Sequence, residues 1–506
     1  MASPAFRWGK GNKPAVLWAC LYGALLGLTW AGWLASAVAP TRRLHPDEAF
    51  FLTFARHAAV NGDWWLLGAL DKPPLAIYAH ALAFTFAGVD SLPNGVLTLD
   101  ARKGEFVGRW LSLMTGMSLL ALVLRLSYDL TRRHAIALLV GTMLAGALTP
   151  YSASAFMDVP LLAFAFAALV SARRGAWRTA GVWLSLAFAV KPQAIFFAPL
   201  CLLWGWQHRR QMGRAFHPLA LAGVGLLVWD SLREGTSVFV LGAHNNTEPL
   251  RLSLPSLSQL GRVLGLDPAS FASAWQACVV ALVGALISVG AWRTKGRAKA
   301  IAPGAWWALG LVGMHALVGL RWHERYSLLV VPVWAMVGAW GVFHPLPTRV
   351  QSVRAWATPL RRILSLWLCA HLLLSVRIAP HDSTPMLALA EHLNAKPIAT
   401  VVYDRWLGWQ LRYYLGQWTD KRLTYYPTPS AWVVDALALR ETGVRYFVGL
   451  EGENVGAWLS IACEAGFGVA LDWHQPPYSV YALTPPHALD KPTFSCARSL
   501  APLAPS

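Results

Sequence analysis

The chain has 506 residues, of which 56% are hydrophobic and only 13% charged, and its formal net charge is +18. Soluble domains carry about 25% charged residues, so this composition excludes an ordinary soluble protein and indicates a membrane protein. The 27 tryptophans agree, because tryptophan favours the membrane–water interface. The basic residues form short clusters between apolar segments and no nucleic-acid-binding motif is present, so we expect no nucleic-acid partner.

The apolar segments predict eleven membrane spans, each at or somewhat below the roughly 20 residues that a bilayer crossing needs. The first follows a basic N-terminus and is too long for a cleavable signal peptide, so we expect it to be retained. The apolar segment 76–88 is too short to cross, which predicts a helix lying flat on the outer leaflet. The predicted spans are 15–38, 106–124, 135–150, 159–172, 179–190, 194–206, 218–232, 271–291, 302–320, 327–343 and 363–376.

The basic loops predict the orientation, because loops rich in arginine and lysine remain in the cytoplasm. With the N-terminus inside, five basic loops fall on the cytoplasmic side without adjustment of the span count. The first outer loop (40–105) and the C-terminal region then lie outside. We therefore predict a transmembrane domain in 1–377 and an outer domain in 378–506.

The C-terminal region differs in composition from the rest of the chain. From about Ile378 the charged residues increase and alternating apolar and polar runs appear. Strands that alternate with helices indicate a small α/β domain. The predicted strands are 399–404, 422–426, 444–450 and 478–483, and the predicted helices between them include 406–415 and 432–440.

Two cysteines, Cys463 and Cys496, follow the last predicted span. An oxidising outer compartment favours disulfides, and a bond between these two would tie the proline-rich tail to the domain. Two unrelated thiols are the alternative.

The stretch from Leu44 to Leu75 is the longest polar excursion in the N-terminal half. It contains the adjacent acids Asp47 and Glu48, and a second charged pair, Asp71 and Lys72, that two prolines follow. Charged groups held between apolar helices are usually functional. An ordinary solvated loop is the alternative, because loops tolerate charge freely.

Five motifs in the chain follow the order found in a known family. HPDEAFF after the first span, followed by DKPPL and a short interfacial helix, resembles the GT-C membrane glycosyltransferases. The similarity is to bacterial relatives of the protein O-mannosyltransferases and of the aminoarabinose transferase that modifies lipid A. The segments SASAFMDVPLLAFAFAAL, KPQAIFFAPL, RWHERYSLLVVP and WLGWQLRYYLG resemble further motifs of that family.

The resemblance implies an inverting enzyme in a bacterial inner membrane, with a GT-C-like fold. Such an enzyme takes a sugar from a polyprenyl-phosphate carrier and passes it to a lipid, glycan or protein acceptor at the periplasmic face. A lipid-linked donor agrees with the sequence, which offers neither G-x-G-x-x-G nor a Walker loop for a nucleotide.

The resemblance also implies roles for individual residues. Asp47 matches the catalytic acid, which would accept the acceptor's proton, and Glu48 would support it. Asp158 matches the second acidic motif, although a helix N-cap is a compatible role. Lys72 matches a lysine that would bind the donor phosphate. Weaker candidates for the same task are Arg325, Lys191 and Arg109, with interfacial snorkelling as the alternative.

A divalent metal ion is implied in the aminoarabinose branch, where a Glu before the lysine and a downstream His are ligands. Here Asp71, a shorter carboxylate, holds the first position and His244 is the candidate for the second. These two ligands make an incomplete site, and an ordinary loop histidine is the alternative.

Two other functions compete with the glycosyltransferase. A multi-span transporter would explain the span number, but no internal repeat or broken-helix pattern is evident. Another lipid-carrier enzyme, such as an oligosaccharide ligase, differs only in the size of the transferred group.

Overall fold

The computed structural model describes residues 13–39, 43–91, 97–246, 283–284, 287, 301–318, 324–343, 351–374, 385–404, 407–415, 421–426, 428–438 and 443–486. These residues are mostly helical, with a small sheet region. The α-helices are α1 (Lys13–Ala37), α2 (Pro46–Arg56), α3 (Leu75–Ala87), α4 (Ala101–Thr131), α5 (His134–Ser152), α6 (Asp158–Arg173), α7 (Trp177–Val190), α8 (Ala198–Trp204), α9 (Phe216–Leu232), α10 (Val238–Asn246), α11 (Ile301–Val318), α12 (Ser327–Phe343), α13 (Gln351–Leu374), α14 (Pro385–Asn394), α15 (Gly408–Tyr414), α16 (Pro429–Ala438) and α17 (Val455–Glu464).

Shorter elements complete the described chain. A π-helix, His57–Asn61, continues α2, and 3-10 helices occupy Pro192–Phe197, Trp206–Ala215 and Glu324–Tyr326. The strands are β1 (Asp90–Ser91), β2 (Leu97–Thr98), β3 (Thr400–Asp404), β4 (Lys421–Tyr425), β5 (Arg445–Leu450), β6 (Gly468–Gln475) and β7 (Tyr478–Thr484).

Four helical segments in the described part are long and apolar enough to cross a membrane: Ala15–Ala37, Ala101–Thr131, His134–Ser152 and Trp206–Leu232. The chain therefore has the character of a membrane protein. The other described segments predicted to span also form helices, several of them shorter than a full crossing. The eighth predicted span, 271–291, falls almost wholly outside the described residues, so the number eleven remains a prediction.

The described residues separate into two compact units. Unit 1 comprises 1–37, 65–79 and 109–379 and is built from helices. Helix α12 is its central element: side chains from Leu328 to Gly341 are buried all round the helix. A helix that is apolar on every face is typical of the interior of a large helical assembly.

Unit 2 comprises 38–64, 80–108 and 380–506. Its main sheet has the strand order β4-β3-β5-β7-β6, in which β3 is parallel to β4 and β5 while β7 is antiparallel to β5 and β6. Trp432, Phe447 and Trp458 form the centre of the apolar core against this sheet. Helices that connect neighbouring parallel strands are the expected crossovers, so this sheet region has an α/β arrangement.

The predicted strands agree with the structure to within a residue or two, whereas β6 was not predicted. Its exposed residues do not alternate regularly with buried ones, and its pairing to β7 shifts register between Leu471 and Trp473. A bulge of this kind destroys the period of two that identifies a strand in a sequence. Unit 2 also includes two segments, 38–64 and 80–108, that overlap the predicted first outer loop (40–105).

Cys463 is disulfide-bonded. The predicted partner, Cys496, lies outside the described residues, so the bond to that particular cysteine remains a prediction.

Candidate functional site

A helical hairpin in unit 1 brings two predicted site residues together. Helices α6 and α7 run antiparallel, and the turn between them contains Gly175 in the left-handed region, with φ at 78°. Asp158 begins α6 and Lys191 directly follows α7, so both lie at the same end of the hairpin. The Lys191 ammonium is 2.6 Å from Asp158 Oδ1, and each side chain is only 3% exposed.

Other charged and aromatic groups surround Lys191. Its ammonium lies 4.8 Å from the centre of the Tyr326 ring, whose hydroxyl accepts a hydrogen bond from Gln193. Burial lowers the pKa of Lys191 to about 8, Asp158 opposes this change, and the positive charges of Arg325 and Lys72 reinforce it. Two other predicted phosphate ligands, Arg325 and Lys72, therefore lie near enough to Lys191 to act on it electrostatically.

The second lysine, Lys72, forms an ion pair with the neighbouring Asp71. Its ammonium is 2.6 Å from Asp71 Oδ2, which also accepts a hydrogen bond from Asn245 at 3.2 Å. Helix α10 approaches this loop closely at Gly242, where a Cβ would lie 2.8 Å from the Asp71 carbonyl oxygen. The Arg233 guanidinium fixes the preceding part of the loop by donating to carbonyl oxygens at positions 66 and 68.

The resulting cluster of Asp71, Lys72, Asp158, Lys191 and Arg325 contains three cations and two carboxylates, a surplus of one positive charge. Because the two lysines are almost fully buried, water screens their charges weakly. An arrangement of this kind attracts an anion, and a phosphate is the class of anion that clustered lysine and arginine side chains bind well.

The two adjacent acids among the predicted site residues, Asp47 and Glu48, lie in unit 2, at the N-terminus of α2. His45 is the N-cap: its Nδ1 accepts the Asp47 backbone N–H, and the Glu48 carboxylate accepts the His45 backbone N–H at 2.8 Å. This reciprocal pattern is a capping box, with Pro46 at the first helical position. The sequence HPDE therefore begins this helix.

The two adjacent acids have different environments. Glu48 is buried, with 1% exposure, and its carboxylate is used in the capping box. The Asp47 side chain is 43% exposed, and its Oδ2 lies 3.9 Å from His45 Nδ1. Of the two, Asp47 is the carboxylate that a molecule from solution can reach.

Helix α15 holds the chain immediately before α2. The backbone of Leu44 is bound on both sides: its N–H donates to the Tyr414 hydroxyl at 2.9 Å, and its carbonyl accepts from Gln410 at 2.7 Å. The Tyr414 hydroxyl also donates to Glu105, which forms an ion pair with Arg43. Burial, followed by the Glu105 charge, raises the pKa of Tyr414, so this phenol stays a neutral donor.

Aromatic packing adds to these hydrogen bonds. Trp409 of α15 packs edge-on against Phe50, with ring centres 4.5 Å apart, and also contacts Phe54. Arg56 donates to the Tyr413 carbonyl at 2.5 Å. Helix α15 thus positions the helix that carries Asp47.

The remaining predicted site residues have other surroundings. Arg109 is buried and donates to the Ala37 carbonyl at 3.0 Å, at the end of α1, where unpaired carbonyls need donors. His244 is exposed near the end of α10 and adjoins Asn245. Asp158 is not an N-cap, because Met157 holds that position. Snorkelling does not describe Lys191, which is buried and ion-paired.

Asp71, one of the two predicted metal ligands, is already engaged by neighbouring side chains. Asp71 Oδ2 is bound by the Lys72 ammonium and by the Asn245 amide N–H. No group of three or more candidate metal ligands occurs among the described residues. We therefore derive no step through a metal, and the metal remains a prediction.

Several of these contact residues were not singled out from the sequence. Tyr326, Gln410 and Tyr414 lie inside motifs that were recognised, RWHERYSLLVVP and WLGWQLRYYLG, and Gln193 lies inside KPQAIFFAPL. Asn245 follows His244 directly. Glu105 had no local signal, because its partners are 62 and 309 residues away.

No protein-family model matches the chain, and a search of curated proteins finds no significant match. The likeness to GT-C enzymes thus depends on the motifs quoted above.

Proposed function

We propose that the chain is an inverting glycosyltransferase that moves a sugar from a polyprenyl-phosphate carrier to an acceptor at the periplasmic face of the bacterial inner membrane. The observation that carries the proposal is the buried cluster around Lys191. Residues from DKPP, MDVP, KPQA and HERY, four separate motifs of the resemblance, contribute to it.

In the proposed reaction, the Asp47 carboxylate accepts the proton of an acceptor hydroxyl or amine. The freed electron pair attacks the anomeric carbon from the face opposite the phosphate, so the configuration inverts. The carbon–oxygen bond to the phosphate breaks and its electron pair leaves with polyprenyl phosphate. Lys72, Lys191 and Arg325 stabilise that departing charge.

Each group suits its proposed role. The Asp47 side chain is 43% exposed at the start of α2, so an acceptor from solution can reach its carboxylate. The lysines are held by carboxylates and are poorly hydrated, so little rearrangement is needed when a phosphate arrives. Asp158 then acts as a positioning residue for Lys191.

The proposed membrane orientation has the N-terminus in the cytoplasm, eleven spans, and domain 378–506 in the periplasm. A reporter enzyme that is active only outside the cytoplasm tests it when fused after Val376 and, separately, within 207–216. We expect activity at the first site alone. Activity at the second site with silence at the first would reverse the orientation.

The function is tested by mass spectrometry of envelope lipids from cells with and without the gene. We expect a polyprenyl-phosphate sugar to accumulate when the protein is absent, whichever acceptor is used, and one envelope component to lose a sugar. Asp47→Asn should reproduce the deletion, whereas Asp90→Asn, an exposed acid in the same unit, should restore the normal profile. Unchanged donor and envelope profiles in the deletion would refute the proposal.

A further inference from the structure

Arg233 is a buried arginine that connects two parts of unit 1. It directly follows α9 and is only 5% exposed. The guanidinium donates to the backbone carbonyls of Leu66 and Gly68, the latter at 3.0 Å, and to that of Thr236 at 3.2 Å. Its central carbon lies 5.3 Å from the centre of the Trp229 ring. Because these acceptors are main-chain atoms, Arg233 fixes the course of the backbone.

The segment immediately before Lys72 has a strained backbone. Leu66 and Gly68 are both in the left-handed region, with φ at 54° and 107°. This region is unfavourable for a leucine, and a residue stays there only where its surroundings hold it. The Gly68 carbonyl accepts the Leu70 N–H, at 2.9 Å, in addition to Arg233. The Leu66 and Leu70 side chains are both buried. Arg233 therefore holds the backbone that leads into Lys72.

A second connection between Arg233 and Lys72 passes through α10. The turn between α9 and α10, to which Arg233 donates, is also held by Asp230, whose carboxylate accepts the N–H of the first residue of α10 at 2.9 Å. Near its other end α10 supplies Asn245, which donates to the Asp71 carboxylate at 3.2 Å. That carboxylate pairs with Lys72 at 2.6 Å. The Asp71–Lys72 pair is thus supported from two sides by elements that Arg233 contacts.

We propose that Arg233 is a positioning residue for Lys72. It holds the loop and the start of α10 so that the Lys72 ammonium stays buried against Asp71, where it can stabilise the departing phosphate. The role of Lys72 toward a phosphate rests on the proposed function, whereas the effect of Arg233 on the position of Lys72 does not. Arg233 acts through backbone atoms and so differs from Asp158, which pairs with Lys191 directly.

Chemical labelling of lysine amines tests the positional effect without any assay of transfer. The full-length protein in detergent is treated with an N-hydroxysuccinimide acetate ester, and mass spectrometry of its peptides gives the labelling rate of each lysine. Lys72 is 5% exposed and should react slowly in the wild type. Arg233→Gln should raise its rate about 10-fold or more, because a buried set of charge-assisted hydrogen bonds no longer opposes opening of the segment. Lys191, which is also buried but is held by Asp158, should stay slow.

Arg209→Gln is the matched control, because Arg209 also lies over a tryptophan, Trp206, but is exposed. It should leave both lysines as slow as in the wild type. Arg233→Lys keeps the charge but has a single ammonium in place of a fork of donors, so it should raise the Lys72 rate by a smaller factor. This variant provides the test if the Gln variant does not fold. An unchanged Lys72 rate, or an equal rise at Lys191, would overturn the proposal.

A double-mutant cycle for donor clearance tests whether Arg233 acts through Lys72. Arg233→Lys should lower the turnover number about 10-fold, since a displaced Lys72 stabilises the leaving phosphate poorly. Lys72→Met should lower it at least as far, and adding Arg233→Lys to Lys72→Met should lower it no further. Independent, multiplying losses would overturn the positioning role, as would normal turnover by an Arg233→Lys variant whose Lys72 is labelled. If the wild type cleared no donor while Arg233→Gln still exposed Lys72, the proposed function would fail and the positional effect would stand.

Discussion

Asp158 and Asp47, the two aspartates predicted to act in catalysis, have opposite surroundings. Asp158, in unit 1, is buried and neutralised by a lysine 2.6 Å away, whereas Asp47, in unit 2, is partly exposed at a helix N-terminus. A carboxylate that is already bound to an ammonium is a poor proton acceptor, since protonation would break the ion pair. The comparison therefore supports the proposal that Asp47 accepts the proton and that Asp158 positions a cation.

The largest expected effect comes from Asp47→Asn, which removes the proton acceptor and keeps the size of the side chain. We expect transfer to fall by about 10²–10⁴, the usual contribution of a general base. Stability should change little because the side chain is exposed. Clearance of the polyprenyl-phosphate sugar by membranes containing each variant provides the measurement, with Asp90→Asn as control. Near-normal clearance by Asp47→Asn membranes would mean that Asp47 is not the base, and Asp158 would become the leading candidate.

The second prediction concerns the buried pair in unit 1. Asp158→Asn or Lys191→Met alone leaves one buried charge uncompensated, which costs about 3–5 kcal/mol. The double variant removes both charges and should recover most of the stability, yet it should still lack transfer. Denaturant unfolding of the protein in detergent measures the first effect and donor clearance the second. Full transfer by a folded double variant would show that the pair is only structural.

A third prediction uses another buried acid, Asp404, at the end of β3. Burial raises its pKa to about 6, while the Leu407 and Gly408 backbone N–H groups and Arg412 oppose the rise. The ordinary value is 3.8, so the folded state binds the proton more tightly than the unfolded chain does. Stability should thus fall as the pH rises from about 4 through about 6, by on the order of 3 kcal/mol.

This pH-dependent loss of stability requires the ionisation of Asp404. The difference in stability loss between wild type and Asp404→Asn therefore measures it. Asn keeps an oxygen that can accept from the backbone N–H groups but does not ionise. Thermal unfolding at pH 4.5 and pH 7.5 should show a smaller pH-dependent loss in the variant than in the wild type. If the variant and the wild type lost the same stability, the pKa of Asp404 would not be raised in the folded protein. Asp90→Asn again serves as the control.

The fourth prediction concerns the contacts that position α2. Tyr414→Phe removes the hydroxyl that bonds Leu44 and Glu105, leaving buried polar groups without that partner at a cost of about 1–3 kcal/mol. If α15 positions Asp47, the turnover number should fall more than the affinity for donor. Kinetics of transfer at varied donor concentration separate the two. Tyr481→Phe, on β7, should alter neither, and equal behaviour of both variants would contradict the positioning role.

Local patterns in the sequence were sufficient to predict most elements of both units. The amphipathic or apolar period identified α4 to α9, and alternation identified β3, β4, β5 and β7, because these signals depend only on neighbouring residues. The bulged β6 lacks such a signal. The interfacial segment 76–88 forms α3, although its predicted position on the membrane is untested.

The site was predictable as a set of residues but not as an arrangement. Asp158 and Lys191 meet because of the hairpin turn at Gly175, and their spacing of 33 residues carries no sign of the contact. Glu48 was expected to assist catalysis. A glutamate three residues after a capping residue, here His45, is the pattern of a capping box, and this spacing is visible in the sequence. Long-range packing, such as that of α15 against α2, has no local signature.

The smallest expected effect comes from Glu48→Gln, and it sharpens the comparison between the two adjacent acids. Glutamine retains a side-chain oxygen that can accept the His45 N–H, so the capping box survives and stability should change by only about 0.5 kcal/mol. Transfer should remain close to normal, because Asp47 supplies the base. Glu48→Ala loses the cap and should cost about 1 kcal/mol, which calibrates the stability measurement.

Donor clearance by Glu48→Gln membranes is compared with that of Asp47→Asn membranes in the same assay. If Glu48→Gln lost transfer as severely as Asp47→Asn, the buried Glu48 would be the proton acceptor. Exposure to solvent would then not explain which of the two acids acts as the base.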